Sequence, residues 1–296
     1  DMDPVVCYTV IKVPQLTEVP ARYDDLKNLY VALADKNEQL SQANEALLRS
    51  NQELSQYAYV ASHDLQEPLR KIRIFGDLLA TNNQLSGKDR FLANKINKAS
   101  ERMSFLIRDL LTYSKLLKTE VEYESVDLNE ILKAVFSDFE VSIQEKKAQI
   151  SFGELPVITA VRLQMNQLFY NLLGNALKFT APGESPKIEI ESVAMDPDTA
   201  AREFPGYNPA LSYIKLVFRD HGIGFESKQA ENIFKVFQRL HTRDMYQGSG
   251  IGLALCRRIV QNHQGRLFAV SQPGHGASFH IILPVTHASE QKKGPE

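Results

Sequence analysis

The sequence predicts a multi-domain protein in which an N-terminal coiled coil and an antiparallel helical hairpin precede an α+β domain. Leucine recurs every seven residues between residues 26 and 54, the spacing of a coiled-coil seam. Apolar residues at alternating spacings of four and three extend that helix and then form a second one, while helix-like and strand-like segments mix after about residue 120. The 296 residues, 43% of them hydrophobic, suffice for about two or three domains with buried cores.

Composition argues against two classes of protein. Lys and Arg number 34 and Asp and Glu 36, so the chain lacks the basic excess of a general nucleic-acid-binding protein. No apolar run approaches the ~18 residues that cross a bilayer, and no signal peptide is present, so we expect a soluble, cytoplasmic chain. Because it begins with Asp1, we expect it to be part of a longer protein. Cys7 and Cys256 are expected to be free thiols in a reducing compartment.

Residues 1–21 are expected to be the remnant strand and linker of an upstream domain. The β-branched segment 5–13 predicts a strand that has no partner nearby, and a lone strand is not stable. Pro14 and Pro20 bracket the linker that follows.

Residues 22–58 are predicted to form a coiled-coil signalling helix. One seam position holds leucine and the other is mostly asparagine, which lowers stability but favours a parallel pair in fixed register. The alternative is a single amphipathic helix with its polar seam positions at the surface. Because so narrow a seam needs a partner, we favour a homodimer. The seam residues are Leu26, Tyr30, Leu33, Asn37, Leu40, Asn44, Leu47, Asn51, Leu54 and Ala58.

Residues 59–120 are predicted to form a hairpin of two antiparallel helices. The turn cluster at 82–87 separates two runs of apolar residues, and two such hairpins would form a four-helix bundle in the dimer. The first run is Ala61, Leu65, Pro68, Ile72, Phe75 and Leu79, and the second is Leu92, Ile96, Ala99, Met103, Leu106, Leu110, Tyr113 and Leu117.

Residues 121–287 are predicted to form the α+β domain, and 288–296 a disordered polar tail. The predicted helices are 127–146 and 159–180, and the predicted strands are 149–152, 186–193, 212–219, 266–271 and 277–283.

His63 is the first candidate for chemistry. It falls at an outward-facing heptad position beside Asp64, on the same helical stripe as Glu67 and Arg70. Pro68 interrupts the helical hydrogen bonding at a cost of about 3 kcal/mol, and such a broken local rule often marks a functional site. A neighbouring carboxylate can orient an imidazole and accept its proton, so that the other ring nitrogen acts as nucleophile. The alternative is an ordinary surface histidine.

A second candidate is the helical stripe of Asn171, Asn175 and Lys178. Two amides and an ammonium on one face suit phosphates and a hard cation with oxygen ligands. The alternative is a partly buried polar stripe that caps a neighbouring loop.

Two glycine-rich segments are further candidates. In Asp220-His-Gly222-Ile-Gly224, glycines allow a flat ligand to approach the backbone and the carboxylate can accept a hydrogen bond from an exocyclic amine; alone, the segment is also compatible with a simple turn. The segment Gly248-Ser-Gly250-Ile-Gly252-Leu253 opens a helix, whose free N–H groups attract an anion. It matches neither a Rossmann fingerprint nor a Walker A loop.

The segment between them carries paired aromatic residues and a cation. Phe234, Phe237 and Arg239 suit a lid over a nucleotide, and the alternative is that Phe234 and Phe237 pack in the core, which we expect of at least one of them.

The order and spacing of these motifs resemble the transmitter core of a bacterial two-component sensor histidine kinase, over roughly residues 55–285. The sequence around His63 is most similar to that of the phytochrome-like and PAS-linked members. The resemblance implies a dimerisation and phosphotransfer hairpin followed by an ATP-binding domain of the Bergerat type. The matching segments are 62–70 (H box), 171–178 (N box), 220–224 (first glycine box), 234–237 (F box) and 248–253 (second glycine box).

The resemblance also implies roles for individual residues. His63 would be the phosphoacceptor and Asp64 its general base. Asn175 would be the Mg²⁺ ligand, and Asp220 would bind the adenine amino group of ATP. The remaining implied ATP-binding residues are Asn171 and Lys178 near the phosphates, Gly222, Gly224, Gly248, Gly250, Gly252 and Leu253 around the base and lid, Phe234 and Phe237 in the F box, and Arg239 at the γ-phosphate.

The implied partners are a separate response regulator with a receiver domain, a second copy of the chain, and an upstream sensor domain. Glu67 departs from the family pattern, because many relatives carry Thr or Asn there to position water for phosphatase action. Two other functions remain open: an ATPase that drives conformational cycles, and a scaffold that binds nucleotide without phosphorylation.

Overall fold

The computed structural model describes residues 18–81, 86–115, 122–238, 240 and 249–286. Within the first two helices, side chains are described for 26–46, 65–81, 86–109, 111 and 112. The predicted strand at 5–13 and the predicted tail at 288–296 therefore lie outside the described residues. The chain divides into two compact units, residues 1–54 and 55–296.

Two long helices form the N-terminal region, α1 (Glu18–Thr81) and α2 (Gly87–Lys115). The first continues through Pro68 as a single helix. In the coiled-coil part of α1, Leu26, Leu33 and Leu40 are all exposed in the single chain.

Few of the described side chains of the hairpin are buried. Ala93, Ser100 and Ile107 of α2 are buried at heptad spacing, together with Leu69 of α1. Gly76 of α1 is also buried, and it lies so close to α2 that a Cβ there would collide with the Asn97 side chain. The predicted seam residues instead remain exposed in the single chain; they include Leu65, Ile72, Phe75, Leu79, Leu92, Ile96 and Met103.

The remainder of the described chain is an α/β domain, which confirms the predicted fold class. The strands are β1 (Glu124–Asp127), β2 (Gln149–Phe152), β3 (Val157–Ala160), β4 (Lys187–Met195), β5 (Tyr213–Asp220), β6 (Arg266–Ser271) and β7 (Ala277–Pro284). A five-stranded sheet has the order β2-β4-β5-β7-β6, with β2 parallel to β4 and the other pairs antiparallel, and β1 pairs antiparallel with β3. The helices are α3 (Leu128–Asp138), α4 (Glu140–Glu145), α5 (Arg162–Lys178), α6 (Pro197–Glu203) and α7 (Gly252–Asn262), with short 3-10 helices at Ser227–Gln229 and Asn232–Phe234.

The five predicted strands are present, but the helix boundaries differ from the prediction. The segment predicted as a helix over 159–180 begins at Arg162, because Val157–Ala160 pairs as a strand with Glu124–Asp127. The segment predicted as a helix over 127–146 is two helices interrupted at Phe139, whose ring packs against Tyr170. Helix α6 was not predicted.

One face of the five-stranded sheet carries the main core of the domain. Helices α3, α5 and α7 pack together over this face, and Phe169 of α5 meets Phe218 of β5 edge to face at 5.1 Å. Cys256 of α7 is a buried free thiol in this core, and burial raises its pKa. A smaller cluster, which includes Ala200, Phe204 and Tyr213, packs α6 beside the sheet.

Candidate functional site

A cavity of about 960 Å³ lies where the α/β domain meets helix α2. It is bounded by α5, the N-terminus of α7, the end of β5 and one face of α2. Eight of the residues singled out from the sequence line it: Asn171, Asn175, Lys178, Asp220, Gly224, Gly250, Gly252 and Leu253.

Helix α5 brings the two amides to the cavity because its other faces are apolar and packed in the core. Gly174 lies between the amides, and a Cβ there would come within 3.1 Å of the Phe139 ring, so glycine lets that ring pack onto the helix. The Asn171 Nδ2 atom is buried and has no nitrogen or oxygen partner among the described residues; the Asn171 side chain lies beside the Cys256 thiol and lowers its pKa, against the larger effect of burial. A buried donor without a partner is costly, so it is suited to a ligand that accepts a hydrogen bond.

Asp220 ends strand β5 and is only 9% exposed. Its Oδ1 atom accepts hydrogen bonds from the backbone N–H groups of Gly222, at 3.0 Å, and Ala277, at 3.3 Å. Burial raises the pKa of this carboxyl group, while the two N–H groups act in the opposite direction. The carboxyl group is therefore held in a fixed orientation at the wall of the cavity.

Glycines hold the loop after Asp220 close to neighbouring backbone. A Cβ at Gly222 would collide with the Phe179 carbonyl oxygen, and a Cβ at Gly224, where φ is +61°, would collide with that of Gln272. Gly222 does not line the cavity itself; it acts through its hydrogen bond to Asp220. Gly276, which was not predicted as a site residue, has φ +79°, and a Cβ there would collide with the Asp220 carbonyl oxygen.

Helix α7 opens toward the cavity without a side-chain N-cap. Gly250, Gly252 and Leu253 line the cavity at this end. A helix N-terminus presents free N–H groups and the positive end of the helix dipole, which together favour an anion. The Ser249 hydroxyl accepts the N–H of Ile251 at 3.2 Å and orders the approach to the helix.

The remaining predicted residues lie elsewhere or are not described. Phe234 is buried in the core, with the Arg257 guanidinium 4.1 Å from its ring centroid. Phe237 is exposed with φ +63°, and neither ring lines the cavity. Arg239 and Gly248 lie outside the described residues. The backbones of His63 and Asp64 belong to α1, but their side chains lie outside the described part of the chain.

One wall of the cavity was not predicted from the sequence. Lys95, Lys98, Arg102 and Phe105 of α2 line it, although that helix was expected to serve only the hairpin. The repetition of cations at helical spacing was the available signal.

Two family models match the chain. Residues 53–118 match the His Kinase A (phospho-acceptor) domain, and residues 160–287 match the histidine kinase-, DNA gyrase B- and HSP90-like ATPase. The described helices include none that is long and apolar enough to cross a membrane.

The chain is similar to curated phytochromes. It is 34% identical to cyanobacterial phytochrome A of Nostoc sp. over 94% of this chain and 36% of that protein. It is 36% identical to the phytochrome-like protein Cph1 of Synechocystis sp. over 84% of this chain and 31% of that protein. The chain thus spans about a third of the length of these relatives.

Two solved structures share the fold. Full-length ShkA in complex with AMPPNP superposes with a TM-score of 0.58 at 24% identity, over 79% of this chain and 46% of that one. Histidine kinase ThkA in complex with response regulator protein TrrA superposes with a TM-score of 0.52 at 20% identity, over 94% of this chain and 69% of that one.

Proposed function

Because this chain carries the transmitter core of a two-component sensor histidine kinase, we propose that it phosphorylates His63 with ATP and passes the phosphoryl group to an aspartate of a response regulator. The chain spans about a third of its phytochrome relatives, so this activity is proposed for the transmitter core.

The cavity is the observation that carries the proposal. It places a buried, oriented carboxylate, an amide pair and an uncapped helix N-terminus around one space. In our proposal Asp220 accepts a hydrogen bond from the adenine amino group, and the phosphates extend toward Lys178 and the start of α7. Bergerat-type ATP binding agrees with the match to the ATPase family model.

The residues that face the cavity also suit Mg²⁺. The amide oxygen of Asn175 is a hard ligand, and Mg²⁺ in nucleotide sites commonly takes few protein ligands because phosphates and water supply the others. The unpartnered Nδ2 of Asn171 is suited to donate to a phosphate oxygen beside it. When bound, the ion would neutralise charge on the triphosphate.

The transfer itself needs positioning and charge neutralisation rather than an elaborate covalent apparatus. A ring nitrogen of His63 would attack the γ-phosphorus with its lone pair, and the bond from phosphorus to the β–γ bridging oxygen would break, so that ADP leaves with that electron pair. Asp64 would accept the proton of the other ring nitrogen. In the second transfer a receiver carboxylate would attack the phosphohistidine and release the imidazole.

Homodimerisation is part of the same proposal. Apolar seam residues stay exposed along both helices of the hairpin, and a second hairpin would cover them in a four-helix bundle. We propose that an upstream sensor domain acts on this bundle through the coiled coil, that a separate receiver domain takes the phosphoryl group, and that the core works in the cytoplasm.

The test is transfer of label from γ-labelled ATP with Mg²⁺ to the chain and to its His63→Gln variant. We expect acid-labile, base-stable label on the unaltered chain and none on the variant. Equal label on both would show that another residue is the acceptor. ATP binding without label would favour a nucleotide-binding scaffold, and ATP hydrolysis that does not depend on His63 would favour a conformational ATPase.

A further inference from the structure

The nucleotide cavity is closed on one side by helix α2 of the hairpin rather than by the α/β domain. One face of α2 lines it, from Lys95 to Asp109, and α2 contacts helix α7 of the domain. This wall carries Lys95, Lys98 and Arg102, and also the carboxylates Glu101 and Asp109.

Among the residues that the structure describes, Lys98 and Arg102 are the cations of this wall that lack a partner. Among the described residues neither takes part in an ion pair or a ring contact, whereas Lys95 lies 5.3 Å from the centroid of the Phe91 ring. Lys98 and Arg102 are four residues apart on one helix face, where like charges repel. Two cations at this spacing destabilise the helix, and residues that are unfavourable for the local structure are often functional.

We propose that Lys98 and Arg102 bind the polyphosphate of the nucleotide, so that ATP holds the α/β domain against the hairpin. A polyphosphate near Lys178 and the start of α7 would be contacted from the opposite wall by the ammonium of Lys98 and the guanidinium of Arg102. Both groups form short, charge-assisted hydrogen bonds with phosphate. This inference rests on the proposed function, because it takes ATP to be the ligand.

The hairpin geometry indicates that these two cations act in binding rather than in the transfer step. Asn97 donates to Asp77 at 2.6 Å, which places residues 77 and 97 at one level of the hairpin. At about 1.5 Å per residue, His63 lies about 21 Å from that level along α1, and Arg102 only about 7.5 Å along α2 in the same direction. The two levels are about 13.5 Å apart along the hairpin, so a phosphate group bound by Arg102 would still be distant from His63.

The test compares Lys98→Gln/Arg102→Gln with Arg73→Gln/Lys88→Gln in the whole chain. The second variant removes the same two charges from exposed hairpin positions outside the cavity. Calorimetric titration should give a Kd for Mg-ATP at least about 10-fold higher for the first variant only, as expected when charge-assisted contacts to phosphate are lost. The Kd for adenosine should change less than about two-fold, because adenosine carries no phosphate.

Two further readouts separate this role from a merely structural one. The KM for ATP in autophosphorylation should rise with no fall in kcat, since the contacts that are lost are made in ATP binding and not in the transfer step. ATP should protect the α2 amides of residues 95–106 from hydrogen exchange in the unaltered chain but not in Lys98→Gln/Arg102→Gln.

Equal ATP affinity in the two variants would overturn the inference, as would an equal loss of adenosine binding or a fall in kcat at constant KM. In each of these cases His63 labelling of the unaltered chain would leave the proposed function standing. Failure of the unaltered chain to bind ATP would instead overturn both.

Discussion

The hairpin and the α/β domain differ in how far their large apolar side chains are buried in the single chain. In the domain, large side chains such as Phe169 and Leu132 are completely buried. In the hairpin, Phe75 is 62% exposed and Met103 46% exposed in the single chain. The domain therefore completes its own core, whereas the hairpin presents an apolar stripe of the kind that a second chain covers.

The interior of the hairpin explains this difference. Among the described side chains of the hairpin, few are buried, and three of the buried residues, Gly76, Ala93 and Ser100, are small, so the single hairpin buries little apolar area. Most helical stability in water comes from packing an amphipathic face, so these helices need further contacts. The α/β domain gains such contacts from three helices over one sheet.

The largest expected effect is on the exposed stripe of the hairpin. Ile72→Asp/Phe75→Asp should dissociate the dimer, because two charges would replace apolar contacts in the bundle. The double substitution changes four side chains of a homodimer, so at about 1 kcal/mol for each of them dimer affinity should fall by about 10³-fold. Sedimentation velocity would measure the change, and calorimetry should show that ATP still binds.

The matched control for this variant is Arg73→Glu, which lies between the two seam positions and is exposed. It should remain dimeric. A dimer that survives Ile72→Asp/Phe75→Asp would place the interface elsewhere and remove the contrast between the two regions.

An intermediate effect is expected in the cavity of the α/β domain. Asp220→Asn should weaken ATP binding by about 10- to 100-fold, the loss of a hydrogen bond to a charged group worth about 1.5–3 kcal/mol. The free energy of unfolding without nucleotide should not fall at pH 7. Burial raises the pKa of Asp220, so its ionised form opposes folding above that pKa, and the Asn oxygen can still accept the two backbone hydrogen bonds.

Calorimetric titration and urea unfolding would measure these two quantities separately. Unchanged ATP affinity would remove Asp220 from the site, and a large loss of stability would assign it a structural role. The dimer should persist in either case, in contrast to the seam variant.

The smallest effect is expected at an ion cluster on the hairpin surface. Arg70 donates two hydrogen bonds of 3.0 Å to Glu67, and Lys71 lies 3.5 Å from the same carboxylate. The hydrogen bond from Arg70 is the main cause that lowers the pKa of Glu67 from 4.5 to about 2. Because the folded-state pKa is lowered, any stabilisation is present above about pH 4.5 and is lost as the pH falls toward 2.

Carboxyl chemical shifts across this pH range would test the lowered pKa. Arg70→Gln should return the pKa of Glu67 toward its usual value, while Lys71→Gln should change it less. The pair is exposed, so the melting temperature at pH 7 should barely change in either variant. An unchanged pKa in Arg70→Gln would show that the ion pair does not persist in solution.

Local patterns of the sequence determined much of this protein. Heptad spacing predicted both helices of the hairpin, and alternating or β-branched runs predicted the five strands of the main sheet. The glycine, asparagine and aspartate motifs indicated a nucleotide site, and eight of their residues line one cavity. Such features can be predicted from the sequence because each depends on residues within about one or two turns of helix or one strand.

Other features depended on tertiary structure because their partners are distant in sequence. The strand Val157–Ala160 exists through pairing with Glu124–Asp127, and four residues alone carry too weak a signal. The burial of Asp220 and the hydrogen bond from Ala277 need the neighbouring strand β7. That Lys98 and Arg102 face the nucleotide cavity follows only from the packing of α2 against the α/β domain, which helical periodicity cannot specify.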